Sequence, residues 1–291
     1  DVGSSAQGVD RSHAAIQVLG TPNVPAWFTA YGNDVLGGDS NGTTSPISGE
    51  WGGIVMRADS DYDRQANPIY LNYVSNANMT YGGGKVVVNS IESVYNPLHM
   101  ISSRPNLSFN TITLSADAAI SADPNSFDDS FGRLGPNLHA NKFFNPLTQE
   151  SNSLNGLLVR IRPQFGSPVD VLTLNGRLHD TDIVYIVPEA LYINGSPGGP
   201  TFNGTSIISR PSARLLIDPG VTVKFNTSRI EARMGSQLIA EGTASNPITF
   251  TALNDNRYGA GGTFRTQRAG NPLPTTLVPL GLWSGLFFGA D

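Results

Sequence analysis

Residues 213–253 read ARLLIDPGVTVKFNTSRIEARMGSQLIAEGTASNPITFTAL. Apolar or β-branched runs at Leu215 to Ile217, Val221 to Phe225, Arg229 to Ala232, Gln237 to Ala240 and Ile248 to Phe250 alternate with Asp218-Pro219-Gly220, Asn226-Thr227-Ser228, Met234-Gly235-Ser236 and Glu241 to Pro247. Short runs of this composition between turn formers are strands. None of the gaps holds the Asn-Gly or Asp-Gly pair of a two-residue hairpin. Strands that keep bending through tight corners in one rotational sense fit a coil of parallel strands, each turn taking roughly 20–25 residues. Corners of that kind need small or left-handed-tolerant residues, which accounts for the recurrent Gly and Asn. Identical amides stacked from one turn to the next can add ladders of hydrogen bonds.

The same texture extends outward from this stretch. Further strand runs are read at Gly53 to Met56, Ile69 to Leu71, Lys85 to Val88, Leu98 to Ile101, Thr111 to Leu114, Leu157 to Ile161, Val169 to Leu174, Asp182 to Val187 and Ala190 to Ile193. Pro or Gly interrupts nearly every window long enough for a helix. The fold class expected is therefore all-β: a right-handed parallel β-helix (β-solenoid) with long loop excursions, in which residues 1–291 form a single β-helix segment. The excursions are placed at 124–155 and 258–280, and the first of these is where a binding face is expected.

Composition narrows the function classes. The 291 residues carry 18 Lys plus Arg against 23 Asp plus Glu, a formal net charge of −5, and the only lysines are Lys85, Lys142 and Lys224. No basic footprint for a phosphate backbone exists, so nucleic acid is excluded as a partner. There is no cysteine, which removes thiolate metal sites, thiol nucleophiles and disulfides. No apolar run approaches 18 residues, so no transmembrane helix is expected. Gly (32) and Pro (20) are abundant, yet the apolar runs suffice for a continuous core.

The head of the chain recurs at its tail. Ile16 to Tyr31 aligns with Leu238 to Leu253 at a constant offset, matching Gly20-Thr21 to Gly242-Thr243, Pro25 to Pro247 and Phe28-Thr29-Ala30 to Phe250-Thr251-Ala252. Glu50 to Asp59 aligns with Leu282 to Asp291, with Trp51 on Trp283, Gly53 on Gly285 and Asp59 on Asp291. Residues 16–59 and 238–291 are accordingly read as equivalent ends of successive repeats, and the chain as about one period of a tandem array.

The 213–253 stretch, with the Trp51-Gly52-Gly53-Ile54 segment, resembles the right-handed parallel β-helix repeat regions of very large secreted bacterial surface proteins, related in fold to pectate-lyase-like β-helices. His99 to Pro105, Ser121 to Phe127 and Asn155 to Ile161 are similar to passages in the same kind of protein. The resemblance implies an extracellular or cell-surface location and a structural role: a rod, fibre or adhesin stalk whose partners are copies of itself or adjacent repeats, head to tail, and surface glycans. It favours a non-enzymatic protein. The alternatives kept open are a carbohydrate-active β-helix enzyme, lyase or hydrolase, and a glycan-binding module.

Two groups of acidic residues are candidate sites. Asp59, Asp61 and Asp63 alternate like the start of a calcium loop, since oxygen ligands at every second position can converge on one hard cation. Arg64 and Tyr70 replace the Gly and Glu that such a loop needs, so calcium is the one cofactor considered and the alternative is a solvated loop. Asp117, Asp123, Asp128 and Asp129, with Arg104 and Arg133, match the carboxylate and base types that polysaccharide-cleaving β-helices use; turn starters and ion pairs are the plainer reading. Trp27, Trp51 and Trp283 are either sugar platforms or covers for Gly-rich strands. His13, His99, His139 and His179 are read as surface or turn residues.

Overall fold

The structure, a computed structural model, describes residues 15–39, 42, 45–57, 72–88, 90–132, 134–162, 168–267 and 283–289. The protein is all-β and built mainly of parallel sheets. The largest has seven strands, Ile54–Arg57, Leu98–Ile101, Ala118–Ala122, Leu154–Val159, Val184–Val187, Thr222–Phe225 and Thr249–Ala252. Each is parallel to its neighbours, and their order in space is their order in the chain.

Strands of other parallel sheets lie between them in sequence. In the first half these are Gln17–Leu19, Tyr73–Ser75, Asn106–Ser108 and Asn137–His139 in a four-stranded sheet, and Ala26–Phe28, Ala77–Thr80 and Thr111–Thr113 in a three-stranded one. In the second half they are Asn175–Leu178, Arg214–Ile217 and Gln237–Ala240 in one sheet, and Leu191–Ile193, Arg229–Arg233 and Gly285–Gly289 in another. Among the described residues there are also three antiparallel strand pairs: Lys85–Val88 with Ile91–Val94, Phe144–Asn145 with Glu150–Ser151, and Thr201–Phe202 with Ile207–Ile208.

Alternation along each short strand sends one row of side chains inward. In the seven-stranded sheet that row is Ile54, Leu98, Ile120, Leu157, Tyr185, Val223 and Phe250, in register. It joins Val18, Val74, Leu107 and Leu138 of the four-stranded sheet, and Met79 and Ile112 of the three-stranded one. Leu178, Leu215 and Ile217, then Leu191, Ile193 and Ile230, continue the same apolar cluster, so every parallel sheet contributes to one core. The opposite row of the seven-stranded sheet is also covered. Leu158, Val184 and Ile186 pack with Ala118, Leu253 and Ala260, and Lys224 is fully buried beside them. Its Nζ donates to the Asp255 carbonyl (2.8 Å), the Phe264 carbonyl (3.1 Å) and Thr266 Oγ1 (2.8 Å). All three ammonium donors are thereby used to fasten the 254–267 segment over the sheet, while burial pulls the Lys224 pKa down to about 8, opposed by the charge of Asp255.

The corners after three strands of the four-stranded sheet share a left-handed residue. Asn76, Phe109 and Ala140 follow Ser75, Ser108 and His139 and have positive φ of 51°, 57° and 52°. A left-handed conformation costs a non-glycine residue roughly 1–2 kcal/mol, and after Phe109 and Ala140 a buried Asn in the next position, Asn110 or Asn141, offsets it through an amide ladder. Asn110 Nδ2 donates to the Val74 carbonyl (2.8 Å) and to Asn141 Oδ1 (3.0 Å), while its Oδ1 accepts from the Ala77 N–H (3.0 Å). Asn141 repeats the pattern one strand along, donating to the Leu107 carbonyl (2.8 Å) and accepting from the Asn110 N–H (3.2 Å). The amide ladders expected from the sequence are thus present, but the left-handed corners take Phe109 and Ala140 as readily as Asn, because the neighbouring ladder rather than the corner residue holds the bend.

Several local expectations differ. Lys85 to Val88 is a strand of an antiparallel hairpin, and Val169 to Leu174 forms no strand beyond a parallel bridge from Leu172 to Ile193. His99 is neither surface nor turn. It is buried in the strand Leu98–Ile101, with Nδ1 2.7 Å from Ser121 Oγ, and burial with the nearby Arg160 and Arg57 lowers its pKa to about 3. Ile69 to Leu71 lies outside the described residues. Residues 124–155 contribute the strand Asn137–His139 and the small hairpin as well as loops. The sequence repeat is kept as strands but laid on different sheets. Ile54–Arg57 edges the seven-stranded sheet whereas its counterpart Gly285–Gly289 pairs with Arg229–Arg233, and Thr249–Ala252, the counterpart of the Ala26–Phe28 region, forms the other edge of the seven. One inward apolar residue between outward ones is a local pattern that serves any sheet.

Candidate functional site

The acidic residues singled out from sequence are each engaged separately. Asp123 caps the 3₁₀ turn Pro124–Phe127, and its carboxylate accepts from the Ser102 N–H (2.7 Å), Ser102 Oγ (2.8 Å), the Ser126 N–H (2.9 Å) and Ser126 Oγ (2.6 Å). Burial raises its pKa against those four bonds. Both oxygens are occupied by the fold, which leaves Asp123 joining two segments rather than facing a substrate. Asp117 pairs with Arg160 (2.7 Å), Asp128 with buried Arg104 (3.5 Å) and with Ser130, and Asp129 with Arg214 (3.5 Å). These are turn and ion-pair roles, the plainer of the two readings. Arg133 lies outside the described residues, as do Asp59, Asp61 and Asp63 of the calcium expectation. Among the described residues no three His, Asp or Glu side chains are grouped to hold a metal.

Two of the tryptophans cover the fold. Trp51 stacks on Phe28 at 6.3 Å and donates from Nε1 to the Thr80 carbonyl (2.7 Å), and Trp283 stacks on Phe225 at 5.1 Å and on Phe250 at 6.4 Å. Trp27, by contrast, is half exposed on the outer face of the three-stranded sheet, at a groove of about 550 Å³.

The group with unspent chemistry is one that sequence reading passed over. Asp180 follows the strand Asn175–Leu178 and lines a groove of about 500 Å³ with His139, His179, Asp182, Asn106 and Asn137. It is 9% exposed, and its Oδ2 has no hydrogen-bond partner among the described residues. Oδ1 stands 3.6 Å from His179 Nε2, and the Asp180 N–H donates to the Tyr185 hydroxyl (3.1 Å). Burial, reinforced by the charge of Asp182, raises the Asp180 pKa to about 8. Burial also lowers that of His179, whose Nδ1 is likewise buried without a partner. Asp182 accepts from the Ala140 N–H (2.6 Å) and lies 3.8 Å from His139 Nδ1. At neutral pH this places an uncharged carboxylic acid and an uncharged imidazole side by side at a polar groove, an arrangement suited to proton donation. The only signal in the sequence was His179-Asp180-Thr181-Asp182, which without coordinates is an ordinary turn.

Such a carboxyl costs the fold, and the sign can be tested. The native state holds the Asp180 proton up to about pH 8, whereas the unfolded chain releases it near pH 4. The stability that the protonated form contributes is therefore fully present below about pH 4 and is lost as pH rises through about 8. Asp180→Asn removes that dependence, so the variant is expected to gain on the native protein by a few kcal/mol between pH 4 and pH 8. Urea unfolding of both proteins across the range measures it, and a constant difference would show that Asp180 ionises normally.

Comparison with protein-family models, with curated proteins and with solved structures found no match.

Proposed function

We propose that this chain is a segment of a right-handed parallel β-helix whose task is structural: an extracellular or cell-surface rod, fibre or adhesin stalk extended by further copies, joined in tandem or added head to tail. One observation carries the reading. Seven parallel strands stand side by side in chain order, with strands of the other sheets between successive members. A polypeptide winding repeatedly about one axis produces that order, and parallel crossovers are right-handed in nearly all known sheets. The single core shared by all five parallel sheets supports the same reading. The location outside the cell rests on the resemblance of the sequence.

At about 4.8 Å per strand, seven strands span about 29 Å along such an axis, so length must come from added copies. Small-angle scattering over a concentration series is expected to show a particle of constant cross-section and growing length, with a β-type circular-dichroism spectrum. A particle of fixed size at high concentration would reject assembly of separate chains, and a helical spectrum would reject the fold. A second reading, a carbohydrate-active enzyme, draws support from the uncharged Asp180 at its groove. It requires sugar fragments to be released from polysaccharide by the native chain and not by Asp180→Asn.

A further inference from the structure

A pocket of about 310 Å³ opens between the hairpin of Phe144–Asn145 with Glu150–Ser151 and residues 262–265 of the segment that Lys224 fastens over the seven-stranded sheet. Two phenylalanines line it. Phe144 is 41% exposed and Phe264 52%, and among the described residues neither ring stacks on another. Both walls are held by the fold. The Asn155 N–H donates to the Thr266 carbonyl (2.7 Å) and its Nδ2 to the Arg265 carbonyl (3.1 Å), which fixes the wall that Lys224 also holds. The hairpin is tied down by the Leu114 N–H, which donates to the Ser151 carbonyl (3.2 Å), and by Asn152 Nδ2, which donates to the Phe143 carbonyl (3.3 Å). Most polar groups at the pocket are thereby engaged. Asn155 Oδ1 accepts from the Asn152 N–H (2.9 Å), and Gln149 Nε2 donates to the Pro146 carbonyl (2.7 Å). Arg265 differs, for it is exposed and its guanidinium has no partner among the described residues, nor has the Thr263 hydroxyl. Glu150, although it sits between Gln149 and Ser151, lines the 550 Å³ groove with Lys142 instead. Lys224 directs its ammonium donors at protein oxygens. Arg265 is therefore the one charged side chain lining this pocket among the described residues.

We propose that this pocket binds a small aromatic carboxylate, a single flat ring bearing one acid group. The ring enters between Phe144 and Phe264, whose faces and edges are open to it. The acid meets the Arg265 guanidinium, whose parallel donors match a carboxylate, with the Thr263 hydroxyl as a further donor. A sugar needs many hydroxyl partners, and those of Asn155 and Gln149 are already held by the fold. An uncharged apolar molecule would leave the guanidinium unused. A volume of about 310 Å³ is at the small end for ligand pockets, which suits one ring and a short side chain rather than a polymer. Because hydrogen bonds fix both walls before any ligand arrives, the ordering cost of binding is low. The inference goes beyond the structural role proposed above and does not depend on it.

The test is NMR titration of the purified chain with 3-phenylpropanoate, with its uncharged amide 3-phenylpropanamide, with 3-cyclohexylpropanoate and with the neutral trisaccharide maltotriose. The native protein is expected to bind the aromatic acid most tightly, with amide shifts centred on residues 144–151 and 262–266, and not to bind maltotriose. Arg265→Gln is expected to lower affinity for the acid about tenfold, to that of the amide, and to leave the amide unchanged. Phe264→Ala is expected to weaken acid and amide alike by about tenfold. Phe264 and Arg265 are exposed, so circular dichroism of each variant should match the native protein. Absence of binding by 3-phenylpropanoate, equal affinity for acid and amide, equal affinity for the aromatic and cyclohexyl acids, tighter binding of maltotriose, shifts centred elsewhere, or binding indifferent to Phe264→Ala would each overturn the proposal.

Discussion

Asn110→Ala is expected to destabilise the protein by about 3–5 kcal/mol, one of the two largest effects of any single substitution considered. Asn110 is fully buried at the corner between the four-stranded and three-stranded sheets. Truncation strands the Ala77 N–H, takes a second donor from the Val74 carbonyl and removes the amide on which Asn141 rests. Each buried polar group left without a partner costs about 1–3 kcal/mol, and the left-handed Phe109 beside it loses the bonds that hold it in that conformation. Asn110→Asp keeps the acceptor and loses both donors, so it too is expected to be costly. Urea denaturation followed by circular dichroism provides the measurement. A loss below about 1 kcal/mol would mean that the ladder is incidental and that the corner is held by apolar packing.

Gly53→Ala is expected to be more severe, with little folded protein recovered. A Cβ at this position would lie 1.7 Å from the Asn96 carbonyl oxygen and 3.0 Å from the Pro97 Cα. The carbonyl has no room to withdraw, because the adjoining Pro97 carbonyl accepts from the Ile54 N–H (2.9 Å) at the start of the seven-stranded sheet. The Asn96 side chain is likewise held, donating to the Ala118 carbonyl (2.8 Å) and accepting from Arg160. Relief therefore requires Ile54–Arg57 to separate from Leu98–Ile101, a loss of more than about 4 kcal/mol. Gly199→Ala serves as the comparison, since an added Cβ there meets nothing within 4 Å, and a change within about 0.5 kcal/mol is expected. Similar soluble yields and midpoints for the two variants would show that the backbone at Gly53 yields more easily than its geometry suggests.

The strands most legible in the sequence were those with two or more apolar residues in a short run. Leu98–Ile101, Arg214–Ile217, Thr222–Phe225, Arg229–Arg233 and Gln237–Ala240 all lie within a residue or so of where composition placed them. Ala77–Thr80, Ala118–Ala122 and Asn175–Leu178 were among the strands that escaped notice, as were the three-residue strands Tyr73–Ser75, Asn106–Ser108 and Asn137–His139. In the last three a single inward residue, Val74, Leu107 or Leu138, is flanked by residues that favour turns as much as strands. Three residues carry too little periodicity to be recognised, and what makes them strands is backbone pairing to neighbours about thirty residues away. The acidic residues show the same division. Asp123 before Pro124 was legible as a turn starter and is one, whereas Asp180 was not legible as a buried acid. The groups that oppose the effect of its burial by hydrogen-bonding the carboxyl, the Leu138 backbone and the Tyr185 side chain, are remote from it in sequence or on another strand.

The amino-acid sequence alone determined that this protein is all-β and rich in short strands, and it pointed to Asn ladders between successive strands. Those features follow from side-chain branching, turn chemistry and alternation, which act over a few residues. Only the tertiary structure decided which sheet each strand joins, why His99 and Lys224 are buried, and that Trp27 lies half exposed at a groove while Trp51 and Trp283 stack on aromatic rings against the core. Sheet membership and burial depend on which distant backbones supply the hydrogen bonds and which distant side chains exclude water, and no local pattern encodes either.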